Sequence, residues 1–175
     1  MMRLVASGLC LLMAAPAMAQ SLAEKTGVNS VVGVSPSTQD FVTEAAQSDM
    51  FEIRSSNMAL GSADAPTKSF AQTMISDHTK TSTDLKAMLG KGETQATLPT
   101  AMSSSQQSMI DKLQNLHGAD FDKLYHSDQV SAHKDAVSLF QRYGKDGADA
   151  KLKTWASTTE PALEKHLEMA QSLDK

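Results

Sequence analysis

Apolar residues recur at helical spacing along almost the whole chain from Phe41 onward. The first run, Phe41 to Leu60, puts Phe41, Ala45, Ser48, Glu52, Ser55 and Ala59 on one stripe, with Gly61 as its stop. Ser35-Pro36 and Ser37-x-x-Asp40 supply the oxygen caps and the first-turn proline that start it. A second run opens at Asp64-Ala65-Pro66 and ends at Leu89, ahead of Gly90 and Gly92; its stripe is Phe70, Met74, His78, Thr81, Leu85 and Met88. The linker GKGETQATLP leads into a short amphipathic stretch with Met102, Met109, Ile110, Leu113 and Leu116, closing at Gly118. Helices are further expected over Asp120–Tyr143, stopped by Gly144, and over Ala148–Leu173. Their stripes read His126, Val130, His133, Val137, Phe140, and Leu152, Trp155, Thr159, Leu163, His166, Ala170, Leu173. Pro161 predicts a kink or a restarted turn in the last helix, because its ring clashes and its N–H is missing. Apart from SVVGV at 30–34, nothing alternates as a strand would.

These elements predict an all-α fold. Four helices of roughly 20–26 residues suit a bundle, the first and last pairs being hairpins closed by tight turns. One long crossover carrying the short helix joins the hairpins, which is a ferritin-like topology; a simple up-down bundle with the extra helix packed on its end is the alternative. Phe70/Tyr125 and His78/His133 also correspond at a constant offset, a faint echo between the second and third long helices.

The start changes the domain picture. MMRLVASGLCLLMAAPAMAQ has a basic start at Arg3, an apolar run from Leu4 to Ala15 and the small-x-small triplet Ala17-Met18-Ala19. That is the layout of a cleavable signal peptide, residues 1–19, with cleavage expected after Ala19. The run is shorter than the ~20 residues of a spanning helix. Residues 20–35 are small and polar, a flexible lead-in, and 36–175 form the bundle domain. Cleavage removes Cys10, the sole cysteine, and with it any disulfide or thiolate site. It also removes Arg3, leaving 15 basic against 20 acidic residues, a net charge of −5. No basic face is left for nucleic acid, and no later stretch reaches membrane-spanning length. A periplasmic protein is expected, with any partner in the cell envelope.

The candidate chemistry lies in polar groups on apolar stripes, where burial is costly unless they are paired. Three helices each place a mid-length histidine there and the fourth a glutamate. The candidate metal ligands are therefore Glu52, His78, His133 and His166, with Asp77 as an alternative ligand or a support behind one. Imidazoles with one carboxylate suit Zn²⁺, Cu²⁺ or Fe²⁺. The plainer reading is that each histidine satisfies its own neighbours, and helical spacing alone favours it. A di-iron site is disfavoured: Glu-x-x-His is absent, the residues three before the histidines being Ile75, Val130 and Leu163. No phosphate loop, G-x-S-x-G elbow or His-Glu-x-x-His is present, so no catalytic residue is assigned. Ser103–Ser105 read as cap and helix-surface chemistry, His117 as a C-terminal helix residue, Trp155 as a core anchor, and the seven methionines that remain after cleavage, scattered over the helices, as core filler.

The segments FVTEAAQSDMFEIRSSNMAL, SFAQTMISDHTKTSTDLKAML, FDKLYHSDQVSAHKDAVSLFQRY and EPALEKHLEMAQSL resemble the bacterial domain of unknown function 4142 over about residues 38–173. The most specific pieces are M-x-x-D-H at Met74–His78, A-H-K-D-A around His133 and H-L-E-M-A from His166. The resemblance implies an exported, ferritin-like helical bundle and marks Glu52, Asp77, His78, His133 and His166 as positions of the family pattern. His126-Ser127-Asp128-Gln129 departs from the apolar residues usual there. The first expectation is a non-enzymatic accessory or stress-related binding protein. A mononuclear metal-binding or metal-buffering protein is the alternative, and a ferritin-like oxidoreductase the weaker third.

Overall fold

The structure, a computed structural model, describes residues 30–31, 33–62, 64–90 and 94–175. The expected leader, 1–19, and the lead-in before Ser30 lie outside the described residues. Among the described residues the fold consists of five helices, α1 (Thr38–Ala59), α2 (Ala65–Leu89), α3 (Ser104–Gln114), α4 (Gly118–Asp146) and α5 (Ala150–Leu173), with no strand. None of them is long and apolar enough to cross a membrane.

Local chemistry sets most of the starts. The Ser37 side chain accepts from the Asp40 N–H, Asp64 from the Thr67 N–H, and Asp149 from the Lys151 and Leu152 N–H groups. Ser103 and Gln106 close a reciprocal capping box on α3. Helix α4 departs from expectation at both ends. His117 is not a C-terminal helix residue but the extended residue at its N-cap, without a side-chain cap bond. Gly144 does not stop the helix, which runs on to Asp146. Pro161 leaves α5 a single helix; it sits on an exposed face.

Gly144 has a different task. A Cβ placed on it would lie 2.8 Å from Ser157 Oγ and 3.1 Å from the Ser157 backbone N, so α4 and α5 meet there backbone to backbone. Gly144→Ala is expected to destabilise by about 1–2 kcal/mol. Overpacking costs about 1–3 kcal/mol, offset in part by the ~1 kcal/mol helix preference of alanine. A urea titration checks this; unchanged or higher stability would mean that the seam opens freely.

Packing is closest within the hairpins α1–α2 and α4–α5, and sparser across the seams α1–α4 and α2–α5. Thr38 Oγ1 lies 2.9 Å from the Tyr143 hydroxyl, so α1 begins where α4 ends. Thr67 Oγ1 lies 2.7 Å from His126 Nε2, so α2 begins near the start of α4. The crossover touches the start of α5, where Thr94 donates to Asp149, and runs back beside α1, where Gln39 pairs with the Thr97 backbone and Gln47 donates to the Ala101 carbonyl.

The apolar core is split in two. One cluster gathers Phe41, Leu85, Phe140, Tyr143, Leu152 and Leu163 at the crossover end. The other gathers Ala59, Phe70, Met74, Leu113, Tyr125 and Ala170 at the opposite end. Residues 49–55, 78, 129–133 and 166 fall between them, and a buried polar layer crosses the bundle there. The α4 stripe is turned from its expected position: Tyr125, Gln129, His133, Ala136 and Phe140 are buried, while His126, Val130 and Val137 are half-buried. Gln129, which hydropathy would exclude, belongs to the true face. The echoed pairs meet in space, Phe70 with Tyr125 at 6.2 Å and His78 with His133 at 5.7 Å between ring centroids.

Candidate metal centre

All four long helices contribute to the polar layer. Helix α1 brings Asp49 and Glu52, α2 brings His78, α4 brings Gln129 and His133, and α5 brings His166; all six are buried. Their helical spacing places each on an inward stripe, which is why so many polar groups reach one level.

Each imidazole is held through one ring nitrogen. His78 Nδ1 is 2.8 Å from Asp49 Oδ1, and Asp49 also accepts from the Thr81 and Ser82 hydroxyls at 2.8 and 3.0 Å. With its carboxylate loaded by these donors, Asp49 is an acceptor for the His78 N–H. His133 Nδ1 is 2.9 Å from the Gln129 carbonyl. A carbonyl only accepts, so Nδ1 carries the proton and Nε2 presents a lone pair. His166 Nε2 is 3.0 Å from Asp77 Oδ2, an acceptor whose side chain is 49% exposed. The other nitrogens, His78 Nε2, His133 Nε2 and His166 Nδ1, are buried and have no hydrogen-bond partner among the described residues.

The three rings face one another. Their centroids are 5.5–5.7 Å apart, and one ring nitrogen from each lies within 4.8 Å of the other two. A point equidistant from such atoms is at most about 2.8 Å from each, against Zn–N bonds of ~2.0–2.1 Å. Closure by less than about 1 Å per ring would bring the set to coordination distance.

Glu52 is the fully buried neighbour of this triangle. Its Oε1 is 3.9 Å from His133 Nδ1, too far for a hydrogen bond, and neither carboxyl oxygen has a hydrogen-bond partner. Burial pushes its pKa up to about 7, against the pull of His78 and of the nearby Gln129 side chain. Burial works to lower His78, but the Asp49 bond and the charges of Glu52, Asp49 and Asp77 outweigh it and hold His78 above its usual value. Burial, with His78 and His166, drives His133 down to about 3 despite its bond to the Gln129 carbonyl. His166 is lowered too, by burial and by His78, against the pull of Asp77. Two of the three rings are thus neutral at pH 7, with lone pairs available.

The structure therefore brings His78, His133 and His166 into one group. It places Glu52 beside His133 outside that group, and Asp77 behind His166 as the holder of its outer nitrogen. Every ring satisfies a neighbour with one nitrogen and leaves the other buried without a hydrogen-bond partner among the described residues. Two supporting residues escaped the sequence reading. Asp49 lies four residues after Ala45 and three before Glu52, and Gln129 lies four before His133; that spacing was the available signal. His126 pairs with Thr67 and takes no part.

A family model described as a domain of unknown function (DUF4142) matches residues 23–173. No curated protein matches the chain, and no solved structure does.

Proposed function

Since the chain belongs to the DUF4142 family, a family described by no activity, its function has to be read from the cluster, and we propose that it binds one divalent transition-metal ion through His78, His133 and His166. The observation that carries this reading is the set of buried, unpartnered acceptor atoms: three ring nitrogens, both oxygens of Glu52, and Gln129 Oε1. Unmet polar atoms in a core cost free energy. Those unmet here are acceptors once each ring donates through its outer nitrogen, and a cation is what they lack. Asp49 and Glu52 set two carboxyl groups in the layer, and among the described residues no Lys or Arg is buried there, so the layer favours a cation. Nitrogen donors with one carboxylate at hand suit Zn²⁺, Cu²⁺ or Fe²⁺. Asp49, Asp77 and the Gln129 carbonyl orient the rings as supporting groups orient metal-bound histidines.

We read the protein as a binding or buffering protein rather than an oxidase, in a ferritin-like bundle exported by its leader. The two hairpins and the long crossover support the topology, and the layout of residues 1–19 supports export. A di-iron reaction would need bridging carboxylates, and Glu52 is the one carboxylate in the layer that no hydrogen bond engages.

Metal analysis of the purified chain together with thermal melts tests the proposal. One ion per chain is expected, with a raised melting midpoint. At a free-ion level 1,000 times the dissociation constant the gain is about 4.1 kcal/mol. His78→Ala should lose both effects. Melting that Zn²⁺, Cu²⁺ and Fe²⁺ leave unchanged in the native chain would overturn it.

A further inference from the structure

We propose that the metal enters and leaves across the seam between α2 and α5, with Asp77 as the receiving carboxylate and His166 as the ligand that swings; this rests on the metal reading above. On the α2–α5 side, exposure falls from Asp77 at 49% to His166 at 5%, against 3% for His78, 1% for His133 and 0% for Glu52; Asp49, behind His78, is at 7%. Asp77 and His166 are joined directly, Oδ2 to Nε2 at 3.0 Å. The outer nitrogen of a ligand ring therefore touches a carboxylate that water also reaches.

The three rings differ in how they can move. His78 is tied to Asp49, itself buried and engaged by Thr81 and Ser82. His133 is tied to a carbonyl of its own helix, and neither it nor Gln129 reaches the surface. His166 alone is tied to a residue whose side chain reaches solvent. It is also reversed relative to the others, being held through Nε2 with Nδ1 unpartnered, whereas they are held through Nδ1. The α2–α5 seam is among the sparser contacts of the bundle. A site with one hinged ligand at its rim is suited to exchanging its ion, which distinguishes a carrier or buffer from a protein that keeps a metal for structure.

The competing route is a groove of about 540 Å³ on the opposite side, between α1, α3 and α4, where Glu44 and Asp135 supply carboxylates. Ser48 and Ala136 in its lining stand one turn from Glu52 and His133. It has negative charge, but Glu52 and His133 behind it are the most deeply buried members of the layer.

Stopped-flow uptake of Co²⁺ by the metal-free chain, followed by visible absorption, separates the routes. Asp77→Asn keeps the side-chain shape and removes the charge. It should slow uptake roughly fivefold at low ionic strength, with the difference shrinking as salt is added, and should speed release to a chelator. Glu44→Gln and Asp135→Asn should take up Co²⁺ at the native rate. Native uptake in Asp77→Asn overturns the proposal, as does slowing by either groove variant equal to that of Asp77→Asn. No cobalt spectrum in the unaltered protein overturns the metal reading itself, and this inference with it.

Discussion

Glu52→Gln is expected to stabilise the metal-free protein at pH 8 by up to about 3 kcal/mol and to leave it unchanged near pH 4. Unfolded, the carboxyl ionises at its ordinary value of 4.5; folded and without metal, it keeps its proton up to about 7. Below the lower value both states are protonated and the residue adds no pH dependence. Between the two values the unfolded chain gives up its proton first, so stability falls as pH rises. Above the upper value the whole cost persists, at about 1.36 kcal/mol for each pKa unit. Glutamine resembles the protonated form at every pH and removes that cost. With a metal bound the sign should reverse, because the carboxylate then offsets the charge of the ion, and Glu52→Gln should bind it more weakly. Urea unfolding at the two pH values, with chelator and with Zn²⁺, reads all four combinations. A variant no more stable than the native chain at pH 8 in chelator would show that Glu52 is not carrying a buried charge.

Asp49→Ala should be the most damaging single change in the layer, costing about 3–5 kcal/mol, the range for breaking a buried ionic pair. Three donors lose their acceptor together: the His78 ring and the Thr81 and Ser82 hydroxyls. The hydrogen bond that does most to hold His78 above its usual pKa is lost with them, along with one of the charges that assist it. Asp49→Asn keeps an acceptor and the shape, so it should cost visibly less. Metal affinity of Asp49→Asn should fall by about 10–100-fold, as for other residues that hold a metal-bound imidazole. Denaturant titration gives the first quantity and chelator competition the second. Equal stability of Asp49→Ala and the native chain would mean that water replaces the carboxylate at no cost.

Helix positions were legible because their causes are local. Ser37, Asp64, Ser103 and Asp149 cap the helices next to them, and Gly90 follows the last residue of α2. The ends of α4 were not, since Gly144 matters through Ser157 of the facing helix and nothing local says so. The three histidines stood out because an imidazole on an apolar stripe is costly without a partner. Whether they meet depends on how each helix is rotated, and one residue of error turns a helical face by about 100°. That error occurred on α4, where Gln129 took the place given to Val130. Asp49 was passed over for a related reason: a charged residue at the margin of a stripe looks solvated until its donors on the next helix are known.

The divided core bears on how the protein comes apart. Contacts within α1–α2 and within α4–α5 close short stretches of chain, so the two hairpins are expected to form early and to join late. His78 belongs to the first hairpin, and His133 and His166 to the second, so no hairpin alone holds the three nitrogens. An ion seated among them ties the halves together at their sparser seams. Because that tie forms after the hairpins, it should leave the refolding rate nearly unchanged and slow unfolding instead. Loading would then lengthen the lifetime of the native state, and amides at the hairpin junction should gain the greatest protection from hydrogen exchange.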